Sequence, residues 1–500
     1  MEAVIGDNMQ TSIDVKLKEY DLSLLEKDYD RISVLIDDTK KLNRVCRRIN
    51  KLTKGAVLRA INSDEYEKKS CGEVLSISFP GSITAKYIDL IKWVKPGQLH
   101  DARKAGVNLA KLAGDSSVLI CIGSQKFSTE FILGYLLRQY NFSEYKTNKT
   151  NKSRPATLML NKTFGFKESI EKIKATVNGV FLTRNLVNEP ANILTTAEFS
   201  KRLQELSTVG VDVEVLEQKQ LSDLGMNALL GVGQGSANPS KVVVMSWKGG
   251  SKSSQPLALV GKGVVFDTGG ISLKPAGGME DMTMDMGGAG VVAGTMFTLA
   301  KRTAKANVVG LVGLVENMPS STAQRPGDIV KSMKGETIEV INTDAEGRLV
   351  LSDVLWYAQE RFKPRGIIDL ATLTGAIIVG LGYEKAGVFS NNDSFCEAFM
   401  NAAALENEGA WRMPLDPAYD KKLKSRLADM KNVGGRDAGA ITAAQFIQRF
   451  IKKDMPWIHL DIAGVAHTKS ETTYAPSGAT GWGVMSLNRL ISDKFEEINE

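Results

Sequence analysis

The sequence has few histidines and few cysteines, and it lacks the spacings in which these residues usually bind metal ions or form disulfides. No Cys-x-x-Cys motif occurs in its 500 residues, and its cysteines are widely separated, at Cys46, Cys71, Cys121 and Cys396. This distribution indicates neither a zinc knuckle nor a disulfide framework. No His-x-x-x-His pair occurs among its histidines, which are His100, His459 and His467. If the chain binds a metal ion, carboxylates are therefore expected to be the main ligands.

Long apolar runs are also missing. No run approaches the length of about 18 residues that a membrane-spanning helix needs, and the nearest one, 367–381, is interrupted by Asp369. The first residues have neither the basic region nor the apolar core of a signal peptide. The net charge of +6 is small for this length, and no stretch interleaves basic with aromatic residues. We therefore expect a soluble cytoplasmic protein without a membrane partner, and nucleic acid is not favoured as a partner.

The length and the alternation of apolar patterns predict two α/β domains. A chain of 500 residues exceeds the size of one hydrophobic core. Strand-like runs alternate with helix-like runs in both halves, which is typical of α/β folds. We predict a smaller N-terminal α/β domain over 1–165, a connecting helix over 166–190 and a larger C-terminal α/β domain over 191–500. The larger domain is expected to have a mostly parallel central sheet flanked by helices.

Individual elements follow from the period of the apolar residues. Buried strands are predicted from short apolar runs at 74–79, 118–123, 242–245, 257–260, 308–315, 338–341 and 367–370. Apolar residues three and four apart predict parts of helices at 109–112 and 131–140 and helices at 168–186, 290–300 and 349–362. The polar stretch 144–154 has no apolar periodicity and is expected to be an exposed loop.

Two carboxylates and a guanidinium alternate in one short stretch, as Asp344, Glu346 and Arg348. An extended backbone would point these alternate side chains to one face. Two carboxylates held close together repel each other unless a cation lies between them, and both are ordinary ligands for zinc, manganese or magnesium. A surface turn would also explain an Asp-Ala-Glu-Gly sequence. The position between a predicted strand and a predicted helix favours a metal site, because α/β proteins usually place their chemistry at such junctions.

A second group of charged residues lies among glycines, which allow unusual backbone angles and close approach. It occupies 261–275 and 279–288 and contributes Lys262, Asp267, Lys274 and Asp285. A phosphate-binding loop is one interpretation, but neither the P-loop spacing nor Gly-x-Gly-x-x-Gly is present. The other interpretation combines both groups into four carboxylates that hold two divalent ions about 3.5 Å apart, a known arrangement for hydrolysis.

Several motifs of the sequence resemble those of the leucyl aminopeptidase (cytosol aminopeptidase) family. They are Lys-Gly-Val-Val-Phe-Asp-Thr-Gly-Gly at 262–270, Lys-Pro at 274–275, Met-x-x-Asp-Met at 282–286 and Asn-Thr-Asp-Ala-Glu-Gly-Arg-Leu at 342–349. The last of these is the most specific, and further matching segments lie at 184–192, 231–236, 371–376 and 457–464. The resemblance covers about residues 170 to 490. The first domain is similar to the variable N-terminal domain of the family only in its length and α/β character.

The resemblance implies a ligand set and two catalytic residues. Each subunit would hold two divalent metal ions, with manganese, zinc and magnesium as the candidates. The ligands of the tighter ion would be Lys262, Asp267, Asp285 and Glu346. The more exchangeable ion would be held by Asp267, Asp344 and Glu346. The catalytic residues would be Lys274, which stabilises the developing oxyanion, and Arg348, which holds a bicarbonate ion that serves as general base.

The same resemblance implies a function. The chain would be a metallo-exopeptidase that releases the N-terminal residue, with leucine and other apolar residues preferred, through a water activated by two metal ions. It would serve intracellular peptide turnover as a homohexamer, a dimer of trimers, with 191–500 as the catalytic domain. Met282, Thr372 and Gly375 are expected to line a pocket for the first side chain, although a Met-rich stretch can also be plain core. The carboxylate pairs equally fit hydrolysis of another bond, such as a phosphoester.

The pair His459 and Asp461 could also suggest an acid–base couple. The resemblance to the leucyl aminopeptidase family implies that this segment is a strand with a structural role. We therefore expect His459 to be a structural residue.

Overall fold

The structure, a computed structural model, describes residues 15–37, 39–94, 98–123, 127–147, 156–161 and 165–496. The described residues form two compact units. The first unit extends to residue 177 and also includes 471–476, and the second contains 178–470 and the chain from 477 onward. The boundary between residues 177 and 178 lies inside the helix Phe166–Asn188. The domain limits given above, read as limits of independent folding, stay a prediction.

The first unit contains a six-stranded sheet in the order β1-β6-β5-β2-β4-β3. All neighbours are parallel except β3 and β4. The strands are β1 (Val15–Glu19), β2 (Arg31–Asp37), β3 (Val74–Ser78), β4 (Tyr87–Trp93), β5 (Val118–Gly123) and β6 (Ala156–Leu160). Consecutive apolar side chains of β2, β4, β5 and β6 are buried, as the sequence pattern predicts for strands that are covered on both faces of a sheet.

Helices surround this sheet. Those of the first unit are α1 (Arg44–Leu52), α2 (Ala56–Ile61), α3 (Asp64–Glu67), α4 (Leu99–Ala113) and α5 (Ser128–Arg138), and a 3-10 helix covers Leu22–Glu26. Helix α6 (Phe166–Asn188) is divided between the two units. One buried ion pair stands out in the sheet, because the Arg31 guanidinium donates Nε to Asp89 Oδ2 at 3.0 Å and Nη2 to Oδ1 at 3.0 Å. The hydroxyls of Ser33 and Ser76 donate to the same carboxylate. The pair is thus fully hydrogen-bonded, as a buried charge requires.

The second unit contains an eight-stranded sheet in the order β15-β14-β17-β13-β9-β10-β8-β7. Its four central strands, β17, β13, β9 and β10, are parallel to their neighbours within this group. The strands of the sheet are β7 (Asp212–Leu216), β8 (Lys241–Lys248), β9 (Leu257–Asp267), β10 (Asn307–Asn317), β13 (Gly366–Ala371), β14 (Ala386–Ser390), β15 (Ala410–Arg412) and β17 (Trp457–Asp461). Strands β7, β8 and β14 add antiparallel pairings at the flanks.

Two small sheets and the helices complete the second unit. One small sheet has β11 (Ile329–Lys331), β12 (Thr337–Glu339) and β16 (Met430–Lys431), and the other has β18 (His467–Thr468) and β19 (Gly478–Ala479). The helices are α7 (Thr196–Gln204), α8 (Gln218–Asp223), α9 (Asn227–Gly233), α10 (Gly287–Lys301), α11 (Gly347–Phe362), α12 (Gly375–Leu381), α13 (Asp393–Glu406), α14 (Pro417–Asp420), α15 (Gly439–Gln448) and α16 (Val484–Lys494). Further 3-10 helices cover Glu205–Val209, Met279–Met286 and Lys421–Leu423.

Glycines let helix α10 approach the central strands closely. A Cβ atom on Gly261 of β9 would lie 2.7 Å from the Cα atom of Ala289, and one on Gly288 would lie 2.3 Å from the carbonyl oxygen of Leu370. Such distances are too short for any side chain, so the contact depends on glycine at both positions. Asp285, which lies two residues before the start of this helix, is thereby brought against the sheet.

The observed elements confirm the predicted α/β class with a mostly parallel sheet flanked by helices. Each predicted strand and helix overlaps an observed element. The helix predicted at 109–112 is only the last part of α4, which begins ten residues earlier, and β9 extends seven residues beyond the strand predicted at 257–260. The strand predicted at 338–341 is observed as β12, which ends two residues earlier, at Glu339. Of the polar stretch 144–154, residues 144–147 are neither helix nor strand and 148–154 lie outside the described residues, as does the amino-terminal segment 1–14. Among the described helices, none has the length and apolar character to cross a membrane.

The carboxyl ends of the four central strands meet at one edge of the sheet. Strand β9 ends at Asp267, β10 at Asn317, β13 at Ala371 and β17 at Asp461. In open α/β sheets, this edge is where ligands bind and chemistry occurs. Most of the charged residues singled out in the sequence lie here.

Candidate active site

An irregularity in β9 places Lys262 and Asp267 on the same face of the sheet. Residues five apart on a regular strand point to opposite faces. Here Lys262 pairs with Gly313, Val264 with Val315, and Asp267 with Asn317 of β10. The step from Val264 to Asp267 on β9 is therefore three residues long, whereas the matching step on β10 is two residues long. This bulge adds one residue and turns the Asp267 carboxylate to the side of the Lys262 ammonium group.

The segment 341–346 is a turn and not an extended strand, so the predicted reason for its convergence was wrong. The amide of Asp344 donates to Asn342 Oδ1 at 2.9 Å, and the amide of Ala345 donates to the carbonyl oxygen of Asn342 at 3.2 Å. Glu346 then occupies the residue before helix α11, with helical backbone angles. The turn and the helix start bring Asp344 and Glu346 together, whereas Arg348 lies in the first turn of the helix.

Asp285 reaches the same place from the 3-10 helix before α10. Its Oδ1 atom accepts a hydrogen bond from the Thr372 hydroxyl at 2.7 Å. The Lys262 ammonium group donates to the Thr372 carbonyl oxygen at 2.9 Å. Thr372 follows the last residue of β13, so the end of this strand holds both a cation and an anion of the site.

Four carboxylates and two ammonium groups form one compact cluster. Oxygen atoms of Asp267, Asp344 and Glu346 lie within 4.8 Å of one another. Lys262 Nζ lies 2.7 Å from Asp285 Oδ1 and 2.8 Å from Glu346 Oε1. Lys274 Nζ lies 2.9 Å from Asp267 Oδ2 and also contacts Asp344. The structure therefore brings all six residues together, and each ammonium group bridges two carboxylates.

Burial and mutual repulsion shift the proton affinities of this cluster. Burial, together with the neighbouring Glu346 and Asp267, raises the pKa of Asp285 to about 8. Burial also raises the pKa values of Asp344 and Glu346 above their ordinary range. For Lys262, burial opposes the charged form, but the surrounding carboxylates prevail and raise its pKa above the ordinary value. Carboxylates held this close prefer either a proton or a cation between them.

The donor set fits divalent metal ions. Asp285 Oδ2 and Glu346 Oε2 are buried oxygens that accept no hydrogen bond from any described residue. A buried charged oxygen without a partner is costly, and a cation would satisfy it. Carboxylate oxygens suit manganese, magnesium and zinc. A lysine can join such a set only as the neutral amine, so an ion would have to displace the Lys262 proton.

Arg348 lies beside the cluster and is buried. Its Nη1 atom donates to the carbonyl oxygen of Asn432 at 2.7 Å. Its Nε atom is buried and donates to no described residue. Burial lowers the pKa of the Arg348 guanidinium to about 10, partly offset by Glu346 and Asp461. The group is still positively charged at neutral pH and could hold an anion next to the carboxylates.

The three residues expected to line a pocket lie around the same edge. Met282 is half-buried in the 3-10 helix, Thr372 is buried, and Gly375 is exposed at the start of α12. A Cβ atom on Gly375 would meet no atom within 4 Å, so open space lies over this glycine. Thr372 has the additional task of holding Asp285 and Lys262, which was not foreseen from the sequence.

His459 and Asp461 do not form a pair with each other. His459 Nδ1 lies 2.6 Å from Asp369 Oδ1, and Trp457 Nε1 donates to Asp369 Oδ2 at 2.6 Å. Asp461 accepts hydrogen bonds from the amide of Leu373 at 3.0 Å and from the Thr374 hydroxyl at 2.7 Å. These contacts give both residues a part in holding strand ends and the loop after β13.

Several polar residues that hold the site together belong to none of the motifs recognised in the sequence. Asn317 at the end of β10 donates Nδ2 to Asp267 Oδ1 at 2.8 Å and to the Thr343 carbonyl oxygen at 3.1 Å. The Thr343 hydroxyl donates to the Gly269 carbonyl oxygen at 2.6 Å. A polar residue at the end of an apolar strand could have drawn attention to Asn317. Nothing in the sequence near Asn432 indicates its contact with Arg348.

Comparison with known proteins agrees with this geometry. The family model described as "Cytosol aminopeptidase family, catalytic domain" matches residues 181–488, which is more than half of the chain. A protein of Dinoroseobacter shibae named "Probable cytosol aminopeptidase" is 58% identical over 476 residues, which cover 95% of this chain and 97% of that protein. The chain belongs to the cytosol aminopeptidase family. It is therefore a hydrolase of the peptidase class.

Solved structures of similar proteins show the same fold. A point mutant of tomato leucine aminopeptidase superposes with a TM-score of 0.84 at 30% identity, covering 97% of each chain. The bottromycin maturation enzyme BotP in complex with Mn superposes with a TM-score of 0.80 at 29% identity, covering 93% of this chain and 99% of that one. The cytosol aminopeptidase family is metal-dependent, which agrees with the carboxylate cluster.

Proposed function

We propose that this chain is a metal-dependent aminopeptidase that removes the N-terminal residue of peptides, with leucine and other apolar residues preferred. The observation that carries the proposal is the convergence of Asp267, Asp344 and Glu346 within 4.8 Å, in a chain of the cytosol aminopeptidase family. Intracellular peptide turnover in the cytoplasm is the role that we assign to it.

The proposed ligand set follows the contacts of the two lysines. Lys262, Asp267, Asp285 and Glu346 would hold the tighter ion, and Asp267, Asp344 and Glu346 the more exchangeable one. Support comes from Lys262 Nζ, which lies within 2.8 Å of both Asp285 and Glu346. Two divalent ions at such a site, whether manganese, zinc or magnesium, would activate a water molecule and polarise the scissile carbonyl.

Lys274 and Arg348 are the proposed catalytic residues. Lys274 is partly exposed, and its neighbouring carboxylates raise its pKa although burial opposes this, so it stays an ammonium group. An ammonium group at this position can donate to the oxyanion that develops on the substrate carbonyl. Arg348 would hold a bicarbonate ion as general base, for which its buried Nε atom offers a donor. Such an anion would accept the proton of the attacking water.

The substrate pocket and the assembly complete the proposal. Met282, Thr372 and Gly375 would line the pocket for the first side chain, and the open space over Gly375 supports this. The proposed assembly is a homohexamer, a dimer of trimers, with residues 191–500 of each chain forming the catalytic domain. Peptides are the proposed partners, and neither a membrane nor nucleic acid is proposed.

Competing substrates test the function. The purified chain, depleted of metal and reloaded with Mn²⁺, Zn²⁺ or Mg²⁺, is assayed on leucine p-nitroanilide, acetyl-leucine p-nitroanilide and bis-p-nitrophenyl phosphate. We expect turnover of the free-amine leucine substrate alone, lost on chelation and restored by metal. Equal turnover of the acetylated substrate would exclude an aminopeptidase, and turnover of the phosphodiester alone would favour a phosphoester hydrolase.

A further inference from the structure

Asn432 has a buried side-chain amide that bonds to the backbone on both sides of Asp344, within the turn that carries it. Its Oδ1 atom accepts hydrogen bonds from the amides of Ile341 at 2.8 Å and Asn342 at 3.3 Å. Its Nδ2 atom donates to the carbonyl oxygens of Asn342 at 2.7 Å and Ala345 at 3.4 Å. The side chain has no exposed surface, so water does not replace these bonds. One amide thus satisfies backbone donors and acceptors on both sides of Asp344.

The backbone of Asn432 holds the Arg348 guanidinium group. Its carbonyl oxygen accepts the hydrogen bond from Arg348 Nη1 at 2.7 Å. Its amide donates to the carbonyl oxygen of Glu339 at 3.0 Å. The small sheet supplies this position, because β16 pairs in parallel with β12 and ends one residue before Asn432. The same residue therefore fixes the turn with its side chain and Arg348 with its backbone.

We infer that Asn432 is a positioning residue that sets the distance between the Asp344 carboxylate and the Arg348 guanidinium. The inference rests on the proposed function, in which Asp344 holds the more exchangeable ion and Arg348 holds the anion. Asp344 is only half-buried and its own turn is short, so its carboxylate depends on the backbone at 341–345 for its direction. An outer residue of this kind changes metal affinity by about 10- to 100-fold when it is removed.

The isosteric change Asn432→Asp removes the donor and keeps the volume. The new carboxylate oxygen would face the carbonyl oxygens of Asn342 and Ala345, so the turn must shift away from it. We expect the second Mn²⁺ ion to bind about 10- to 100-fold more weakly, measured on the metal-free protein by titration calorimetry and by the spin-coupled electron paramagnetic resonance signal of the ion pair. With saturating metal, kcat on leucine p-nitroanilide should fall by about 100-fold, because small displacements of reacting groups cost that much.

Gln359 offers a matched control on the same helix as Arg348. It is also a buried amide, and its Nε2 atom donates to the carbonyl oxygens of Leu355 and Phe450, each at 2.9 Å. Its Oε1 atom accepts from the amide of Lys452 at 2.7 Å. Gln359→Ala should lower thermal stability as much as a change at Asn432, while both Mn²⁺ affinities and kcat stay within about twofold of the parent.

A second variant, Asn432→Ser, covers the case in which Asn432→Asp does not fold. Its short hydroxyl cannot reach both sides of the turn, so the same losses are expected in smaller size. The inference is overturned if a folded Asn432 variant binds the second Mn²⁺ ion and turns over substrate like the parent, or if Gln359→Ala shows the same losses. If the parent itself binds fewer than two Mn²⁺ ions, the proposed function is at fault instead.

Discussion

The charge balance of the candidate site depends on Lys262. Its ammonium group lies at the end of a buried side chain, within 2.8 Å of Asp285 and Glu346, and donates to the Thr372 carbonyl oxygen. A Cβ atom on residue 347 would lie 2.7 Å from the end of the Lys262 side chain, so a larger residue in place of Gly347 would displace the ammonium group. In this arrangement the lysine occupies the space between carboxylates that a metal ion would share. Binding of a metal ion must therefore release a proton from Lys262, and the affinity of the site for the metal ion should rise with pH.

The carboxylates Asp267 and Glu346 belong to both proposed ion sites, so their removal should affect both ions. We expect Asp267→Asn and Glu346→Gln each to lower activity on leucine p-nitroanilide by at least about a thousandfold, with fewer than one metal ion bound per chain. Metal content by plasma mass spectrometry and turnover are the two measurements. Two retained ions with parental turnover in either variant would show that the ligand assignment is wrong.

Asp353 supplies the control for this experiment. It is a buried carboxylate on α11 that accepts from the amides of Leu229 at 3.0 Å and Met333 at 2.8 Å, away from the cluster. Asp353→Asn should lower thermal stability and leave the metal content per folded chain unchanged. A loss of metal there would mean that metal content reports on folding in general.

The histidines should be dispensable for the chemistry. His459 is engaged by Asp369 through Nδ1, and the candidate cluster contains carboxylates, lysines and an arginine. We expect His100→Gln, His459→Gln and His467→Gln to keep kcat within about tenfold of the parent, since loss of a general base typically costs 10²- to 10⁴-fold. A fall of about a thousandfold in one variant, with assembly and both metal ions intact, would make that histidine the base and would remove the anion-relay role of Arg348.

Among the elements, helix α16 begins at a buried carboxylate with an unusual proton affinity. Glu408 accepts from the amides of Gly483 at 2.8 Å and Ser486 at 2.9 Å, and from the Ser486 hydroxyl. Burial nevertheless raises the pKa of Glu408 to about 7. The folded chain thus binds this proton more tightly than the unfolded chain, so the stabilising contribution is present at low pH and is lost as pH rises through 7.

We therefore expect Glu408→Gln to flatten the pH dependence of stability. Relative to the variant, the parent should lose about 2 to 3 kcal/mol of unfolding free energy between pH 5 and pH 8. Urea unfolding of the metal-free protein, followed at several pH values, measures this difference. Glu397→Gln, on the exposed face of α13, should follow the parent. Parallel pH profiles for the parent and Glu408→Gln would contradict the prediction.

The strands and helices differ in how well the sequence predicts them. Strands β9, β10 and β13 were predictable because parallel strands buried on both faces give continuous apolar runs, as at 308–315. The bulge that turns Asp267 toward Lys262 was not predictable, since it depends on pairing with β10. The helical backbone of Glu346 is not evident from the sequence, because the alternation of charged residues fits an extended strand. Asn432 was missed because its partners lie about ninety residues earlier in the chain.

At the scale of the whole molecule, assembly is the main prediction. Large apolar side chains are exposed near the site, including Leu273, Val379 and Tyr383, and Val379 is 90% exposed in the isolated chain. Exposed apolar side chains of this kind are typical of surfaces that become buried in an assembly. We expect light scattering to give a mass of six times the 54.3 kDa chain. A mass of one chain at the working concentration would contradict the proposed hexamer.

The place of β17 in the large sheet has a consequence for the newly made enzyme. This strand lies between β13 and β14 and is formed by Trp457–Asp461, near the carboxyl end of the chain. Until the ribosome has synthesised it, Asp461 is absent and the loop at Leu373 and Thr374 lacks the carboxylate that holds it. During synthesis this loop therefore reaches its final position only after residue 461 has been made, more than a hundred residues after Glu346 of the carboxylate cluster.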